Sequence, residues 1–241
     1  MWRPSAAIFA CACARGDASA TVPVRRGDDN RRMFTGIVSG VGRIVEARPL
    51  GVGAEFGRAL SIETPPGFLD DVRLGDSIAL SGACMTVVSL DAIEHRFAVE
   101  ISAESLVRTA GLDGLGEVNL EKAMRADARL DGHLVSGHVD GVGRVSHVER
   151  LGESWELRIE APRSLARFLA VKGSVAVDGV SLTVNRIVDS PAACEIGINL
   201  IAHTVANTNL RGLAVGRKVN LEIDLIARYV ERMLGAQGRG E

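Results

Sequence analysis

Apolar and polar residues alternate along much of this chain. Phe97, Val99 and Ile101 alternate with Ala98, Glu100 and Ser102; Trp155, Leu157 and Ile159 alternate with Glu156, Arg158 and Glu160. Val219, Leu221, Ile223 and Leu225 do the same with Asn220, Glu222 and Asp224. A period of two with one apolar face predicts strands. Glycine, Asp and Asn punctuate the runs at intervals of about 8–12 residues, the spacing of an all-β barrel. Helical spacing is rarer. Leu165, Phe168 and Leu169 stand at i, i+3, i+4, and Ile226, Tyr229, Val230, Met233 and Leu234 form a longer stripe that predicts a terminal amphipathic helix. Such a helix packs either on its own barrel or against copies of itself in other subunits. The second is favoured, because a small closed barrel leaves little apolar surface to cover it.

The strand pattern is written twice. Gly36-Ile-Val-Ser-Gly-Val-Gly-Arg-Ile44 aligns with Gly137-His-Val-Asp-Gly-Val-Gly-Arg-Val145 at an offset of 101, with six of nine positions identical. Leu60–Val87 aligns without a gap on Leu157–Val184 at an offset of 97, with nine of 28 identical. Val118-Asn-Leu-Glu121 matches Val219-Asn-Leu-Glu222, again at 101. The offset changes because the first copy has a longer glycine-rich loop near 49–57 and the second a longer loop near 210–217. A period this long is that of whole domains rather than of solenoid repeats. The domains are 33–128 and 129–224, each with its own strands and turns, followed by a helix over 225–237.

Composition narrows the function. The 241 residues carry a net charge of -2, with 46% hydrophobic and 4% aromatic residues. No basic excess serves a phosphate backbone, and aromatics are too few for base stacking, so nucleic acid is not a partner. No apolar run approaches the roughly 20 residues that span a bilayer. Cys11, Cys13, Cys84 and Cys194 lack metal or redox spacing and read as free thiols of a reducing compartment, which places the protein in the cytoplasm. Residues 1–32 show no strand or helix period. They read as a disordered extension or as an early start codon with Met33 as the true beginning; a cleaved signal over Ala6–Ala14 is the weaker alternative.

Several motifs fail on inspection. Gly40-Val-Gly42 and Gly141-Val-Gly143 lack the third glycine and the helix of a dinucleotide fingerprint, and are read as turn or bulge glycines. His133 and His138 lack the spacing of a zinc site, and Ser136 lacks the surroundings of a nucleophile elbow. The informative positions are those at which the copies differ: Ile37 against His138, Gly75 against Lys172, Cys84 against Ser181, Ala123 against Asp224. Together they suggest two related ligand pockets with distinct chemical duties.

From Met33 the chain reads Met-Phe-Thr-Gly-Ile-Val38. It continues with Gly82-Ala-Cys-Met-Thr-Val87, Gly132-His-Leu-Val-Ser-Gly-His138, Lys172-Gly173, Asp178-Gly-Val-Ser-Leu-Thr-Val184 and Val219-Asn-Leu-Glu-Ile-Asp224. In order and spacing these motifs resemble the α-chain type riboflavin synthases of the lumazine-binding family, over about 33–235. The resemblance implies two similar six-stranded Greek-key barrels with a C-terminal helix, and a homotrimer held by those helices. It implies that two molecules of 6,7-dimethyl-8-ribityllumazine exchange a four-carbon unit, giving riboflavin and 5-amino-6-ribitylamino-uracil, with no external cofactor or metal. The site would lie between the N-barrel of one subunit and the C-barrel of its neighbour; association with lumazine synthase is left open.

By position, Phe34, Thr35, Ser77, Cys84 and Thr86 match the family's N-barrel site, and His138, Lys172, Ser181, Thr183 and Asp224 its C-barrel site. Gly36, Val38, Glu104, Gly137 and Thr204 join them as substrate contacts. His203 stands where the family has a Glu beside Thr204, whereas Glu104 keeps the acid in the first copy. His138 and Ser181 are assigned to proton transfer; Cys84 either adds to C7 of a lumazine or shapes the pocket. The chemistry is consistent with a duplicated domain. A dismutation needs two copies of one substrate face to face, which supplies proximity, and removing a proton from the C7 methyl needs a base and hydrogen-bond donors for the anion. A non-catalytic lumazine- or flavin-binding protein is the alternative. Cys84, His138, Lys172, Ser181 and Asp224 argue for the enzyme. A flavin reductase-type barrel is disfavoured, because no nucleotide-binding α/β half follows.

Overall fold

The computed structural model describes residues 33–237. The readings of 1–32, with Cys11 and Cys13, lie outside the described residues. The first barrel contains β1 (Gly40–Pro49), β2 (Arg58–Glu63), β3 (Ser77–Leu80), β4 (Ala83–Asp91), β5 (Arg96–Ile101), the short helix α1 (Ala103–Arg108) and β6 (Gly116–Lys122). The second repeats it with β7 (Gly141–Leu151), β8 (Ser154–Pro162), β9 (Ser174–Val177), β10 (Val180–Asp189), β11 (Ala193–Ile201), α2 (Ala202–Asn207) and β12 (Lys218–Ile223). Both sheets are antiparallel and closed, in the order β1-β2-β5-β4-β3-β6 and its counterpart β7-β8-β11-β10-β9-β12. Closure leaves no sheet edge to template another chain.

Each barrel is filled by the inward residues of its own strands: Ile44, Leu60, Phe97 and Leu120 in the first, Val145, Leu157, Ile196 and Leu221 in the second. The Gly-Val-Gly runs open β1 and β7 rather than forming turns or bulges. A Cβ on Gly42 would stand 2.7 Å from Leu120 Cδ1, so the missing side chain makes room for the opposite strand. The helical spacing at Leu165 is a 3-10 turn over Arg163–Phe168.

The barrels meet around a pseudo-twofold axis. The β3–β4 turn, Ser81-Gly82, and the β9–β10 turn, Asp178-Gly179, have positive φ at both central residues, as type I′ hairpins require. Gly82 and Gly179 stand back to back, and a Cβ on Gly179 would lie 2.7 Å from Gly82 N, so only glycine fits. Around them Asn119 donates to Asp178 O (2.9 Å) and Asn209 Oδ1 (2.9 Å), while Asn220 donates to Ser81 O (2.9 Å). Asp178 accepts from Asn220 N (2.8 Å) and Arg217 (3.1 Å). The alternation of β12 therefore misleads: Asn220 and Glu222, its polar face, are buried at 1% and 3% exposure. That face looks into the junction and the clamp described below, not into solvent.

The terminal helix α3 (Leu225–Gln237) lies where the apolar stripe predicts it. Arg228 ties it to Asp140 (2.7 and 2.9 Å) and Glu231 to Arg167 (3.0 Å). Its stripe faces outward: Tyr229 is 60% exposed and Met233 67%.

Candidate active site

Each barrel is preceded by an extended strap, residues 33–39 and 132–140. The straps run antiparallel, joined by Phe34 N to Val135 O (2.7 Å) and Val135 N to Phe34 O (3.1 Å). Phe34 is fully buried between them. A carboxylate from the last strand of each barrel holds its own strap. Glu121 accepts from Thr35 N (2.7 Å), Thr35 Oγ1 (2.8 Å) and Gly36 N (3.0 Å). Glu222 accepts from Ser136 N (2.6 Å), Ser136 Oγ (2.7 Å) and Gly137 N (3.0 Å). Burial raises both carboxyl pKa values, although every one of these hydrogen bonds pulls the other way.

Beyond the clamp the straps exchange barrels. Gly36 O accepts from Ser181 N on the second barrel (2.8 Å), and Gly137 O accepts from Cys84 N on the first (2.8 Å). Val38 packs against the second core and Val139 against the first. Gly36 and Gly137 both have positive φ, and a Cβ would stand 2.7 Å from Ser181 Cβ and 2.6 Å from Cys84 Cβ. This corrects the grouping by sequence half. Strap residue His138 belongs beside Cys84, and Gly36, Ile37 and Val38 belong beside Ser181. The cause is topological: a segment preceding the first strand is free to cross to the neighbouring barrel.

The two pockets share a frame. Ser77 pairs across β3–β4 with Thr86, and Ser174 across β9–β10 with Thr183. Both threonines are exposed. On this frame Cys84 and Ala123 pack against an apolar cluster of Phe34, Ala79, Val135 and Ala176, to which both barrels contribute; His138 stands exposed at its strap.

The Ser181 side is polar. His133 Nδ1 lies 2.7 Å from Ser181 Oγ, forming a dyad that the spacing of the sequence does not disclose. His133 is 8% exposed, and its Nε2 is buried without a hydrogen-bond partner among the described residues. Burial lowers its pKa, and the nearby Asp224 carboxylate only partly opposes this. Burial thus favours the neutral ring, which can exchange a proton with the serine. Asp224 Oδ1 also accepts from Ile226 N (2.8 Å), capping α3.

Three candidates stand apart from this arrangement. Lys172 is exposed and donates to Asn185 (3.2 Å). Its φ of 69° occupies the left-handed turn that Gly75 fills in the first barrel, a strain on the order of 1 kcal/mol. Glu104 is ion-paired with Arg108 (3.1 Å) on α1. It lines a cavity of about 610 Å³ with Val107, Arg108, Asp140, Gly141 and Val142, where strap 132–140 runs into β7. Thr204 lies on α2, beside His203, whose ring faces Asn207.

The lumazine binding domain family matches residues 35–123 and 136–224, one domain on each barrel. The chain is 42% identical over 204 residues to riboflavin synthase of Photobacterium phosphoreum, covering 84% of this chain and 89% of the relative. It is 38% identical over 205 residues to riboflavin synthase of Bacillus subtilis (strain 168), covering 84% and 90%. Among solved structures, LumP complexed with 6,7-dimethyl-8-(1'-D-ribityl) lumazine superimposes with a TM-score of 0.67 at 25% identity, covering 78% of this chain and 98% of that one.

Proposed function

The chain belongs to the lumazine-binding family, and we propose that it performs the reaction of that family's riboflavin synthases. Two molecules of 6,7-dimethyl-8-ribityllumazine exchange a four-carbon unit to give riboflavin and 5-amino-6-ribitylamino-uracil. The observation that carries this reading is one chain with two matched domains whose equivalent pockets hold unlike groups. The two products together contain the atoms of two substrate molecules, so the reaction needs no oxidant and no second substrate. Its demands are positional and protonic: two rings held face to face, and a proton removed from the C7 methyl of one.

The exchanged straps divide that work. On the second barrel, Ser181 and neutral His133 move the proton, with Asp224 stabilising the imidazolium that forms. On the first, Cys84 and His138 treat the other lumazine, while Ser77 and Thr86 contribute polar contacts. Phe34 with the Glu121 and Glu222 clamps holds both straps in place. Thr183 completes the second pocket, while Lys172 and Thr204 stand outside it. The alternative of a binding protein without turnover is less well supported: the likeness to LumP is 25%, against 42% for the synthase.

The active assembly is a homotrimer in the cytoplasm. The outward stripe of Ile226, Tyr229, Val230, Met233 and Leu234 supports self-association through α3, since an apolar face of this length is covered in a stable protein. Among the described residues Cys84 and Cys194 are free thiols, which suits a reducing compartment. Incubating the purified protein with the lumazine tests the activity. One riboflavin for every two lumazines consumed is expected, and ligand binding without product overturns it. Sedimentation of the same sample should give a trimer, and truncation from Ala227 onward a smaller species; a truncated chain that stays trimeric removes α3 from the assembly.

A further inference from the structure

We propose that Arg228 is a positioning residue for the first pocket: through Asp140 it ties helix α3 to the strap that carries His138, and so holds that imidazole at its place beside Cys84. The proposal rests on the reading of His138 as a group that acts on the lumazine. Helix α3 presents its amphipathic faces the wrong way round for a helix packed on its own domain. Its apolar stripe faces outward, and among the described residues none of its side chains joins a core cluster. What seats it is polar. Asp224, Arg228 and Glu231 stand at i, i+4 and i+7, on one side of the helix. Asp224 Oδ1 accepts from Ile226 N (2.8 Å), Glu231 pairs with Arg167 (3.0 Å), and one guanidinium nitrogen of Arg228 donates to both carboxylate oxygens of Asp140 (2.7 and 2.9 Å).

The strap is gripped on both sides of His138. Before it, Gly137 N donates to the Glu222 clamp (3.0 Å) and Gly137 O accepts from Cys84 N (2.8 Å). After it, Val139 packs on the first core. Asp140 N donates to Leu221 O (2.8 Å), and its carboxylate accepts from Ile223 N (2.9 Å) and from Arg228. The Asp140 side chain is only 13% exposed. It also lies close enough to the clamp that, after burial, its charge is a further cause raising the Glu222 pKa. A carboxylate so placed, beside a second one, stays put while a cation neutralises it. Without Arg228 it would turn toward water and draw the strap with it. The first barrel serves as an internal control. Ser39 stands at the position of Asp140 and repeats the backbone bond, to Leu120 O (2.8 Å), without the carboxylate. The chain after β6 leads into the second strap rather than into a helix, and the first strap has Ile37 where the second has His138. The strap that carries a titratable side chain is thus the one with the extra tie.

The test uses the full chain at a concentration where sedimentation gives the wild-type species. Arg228→Ala should lower kcat about tenfold while the KM for 6,7-dimethyl-8-ribityllumazine stays within about twofold, because a displaced group costs rate more than binding. Arg228→Lys, which keeps a cationic donor, should recover most of the loss. In a His138→Ala background Arg228→Ala should cost nothing further, since both act through one imidazole. Glu231→Gln loosens the same helix at its other tie and should leave kcat unchanged. Where Arg228→Ala alters the assembly, Asp140→Asn reads the same pair from the strap and should give the same loss. A second readout needs no turnover: in protein labelled at histidine, the NMR signal that His138→Ala deletes should shift in Arg228→Ala and stay in place in Glu231→Gln. That signal tests the tie even if the wild type makes no riboflavin, a result that would overturn the proposed reaction instead. An unshifted His138 signal, an equal loss in Glu231→Gln, or costs of Arg228→Ala and His138→Ala that multiply in the double variant would each overturn the positioning role.

Discussion

The pocket at Cys84 and the pocket at Ser181 are the same structure built twice and equipped differently. Strand pairing, the I′ turn, the carboxylate clamp and the strap glycine repeat residue for residue. At the first pocket a thiol and Ala123 pack against an apolar cluster shared by both barrels; at the corresponding positions of the second stand a serine bonded to a buried imidazole, and the Asp224 carboxylate. The shared parts are those that fix backbone position, and the unlike parts are those that move protons. A reaction between two identical substrates needs such a division, since one lumazine must lose a proton while the other is attacked.

The comparison breaks most severely if one half is removed. Segment 33–128 owns a complete barrel but lacks His133, His138, Ser181 and Asp224. It should retain a β-type circular dichroism spectrum and bind riboflavin, yet form none; turnover at the full-chain rate would make the asymmetry irrelevant. Next, His133→Gln and Ser181→Ala should each lower kcat by about 10²–10³, the scale of a lost proton-transfer group. Cys84→Ser and His138→Ala should lower it too, with the fold preserved in all four. Full activity in both His133→Gln and Ser181→Ala would reduce the dyad to packing. Smaller again is the effect of loosening one strap. Glu222→Gln puts a donor among the three donors gathered at the clamp, which should reduce stability by about 1–3 kcal/mol in urea melts. Glu121→Gln should match it, by the symmetry of the two clamps.

The smallest effect is a pH dependence at the junction. Burial raises the Asp178 pKa to about 6 in the fold, above its ordinary value of 3.8, despite Asn220, Arg217 and Asn209. Ionising it therefore opposes folding: the cost is absent below about pH 4 and complete above about pH 6, so stability falls across that window as pH rises. Asp178→Asn, which keeps the left-handed turn, should flatten this segment of the stability profile. An unchanged slope would mean that another group titrates there.

The internal repeat in the sequence predicts both barrels and the terminal helix, because strand alternation and helical spacing are local. Where the straps go is not local. Nothing in Gly36 or Gly137 says that its carbonyl meets a strand of the other barrel, and so His138 is grouped with the wrong pocket. His133 is considered in the sequence only as a metal ligand and set aside, because its partner, Ser181, lies 48 residues away. The signal for the clamps is present in the sequence. Val-Asn-Leu-Glu ends both copies, and a polar Asn and Glu repeated within an otherwise apolar strand mark a face buried against something polar.

The central claim is that one chain offers two unlike lumazine pockets. Riboflavin titration followed by fluorescence tests it most directly, on wild type, Cys84→Ser and Ser181→Ala. Two classes of site per chain are expected, with Cys84→Ser shifting the affinity of one class and Ser181→Ala that of the other. A single class of site, or both substitutions acting on the same one, would contradict it.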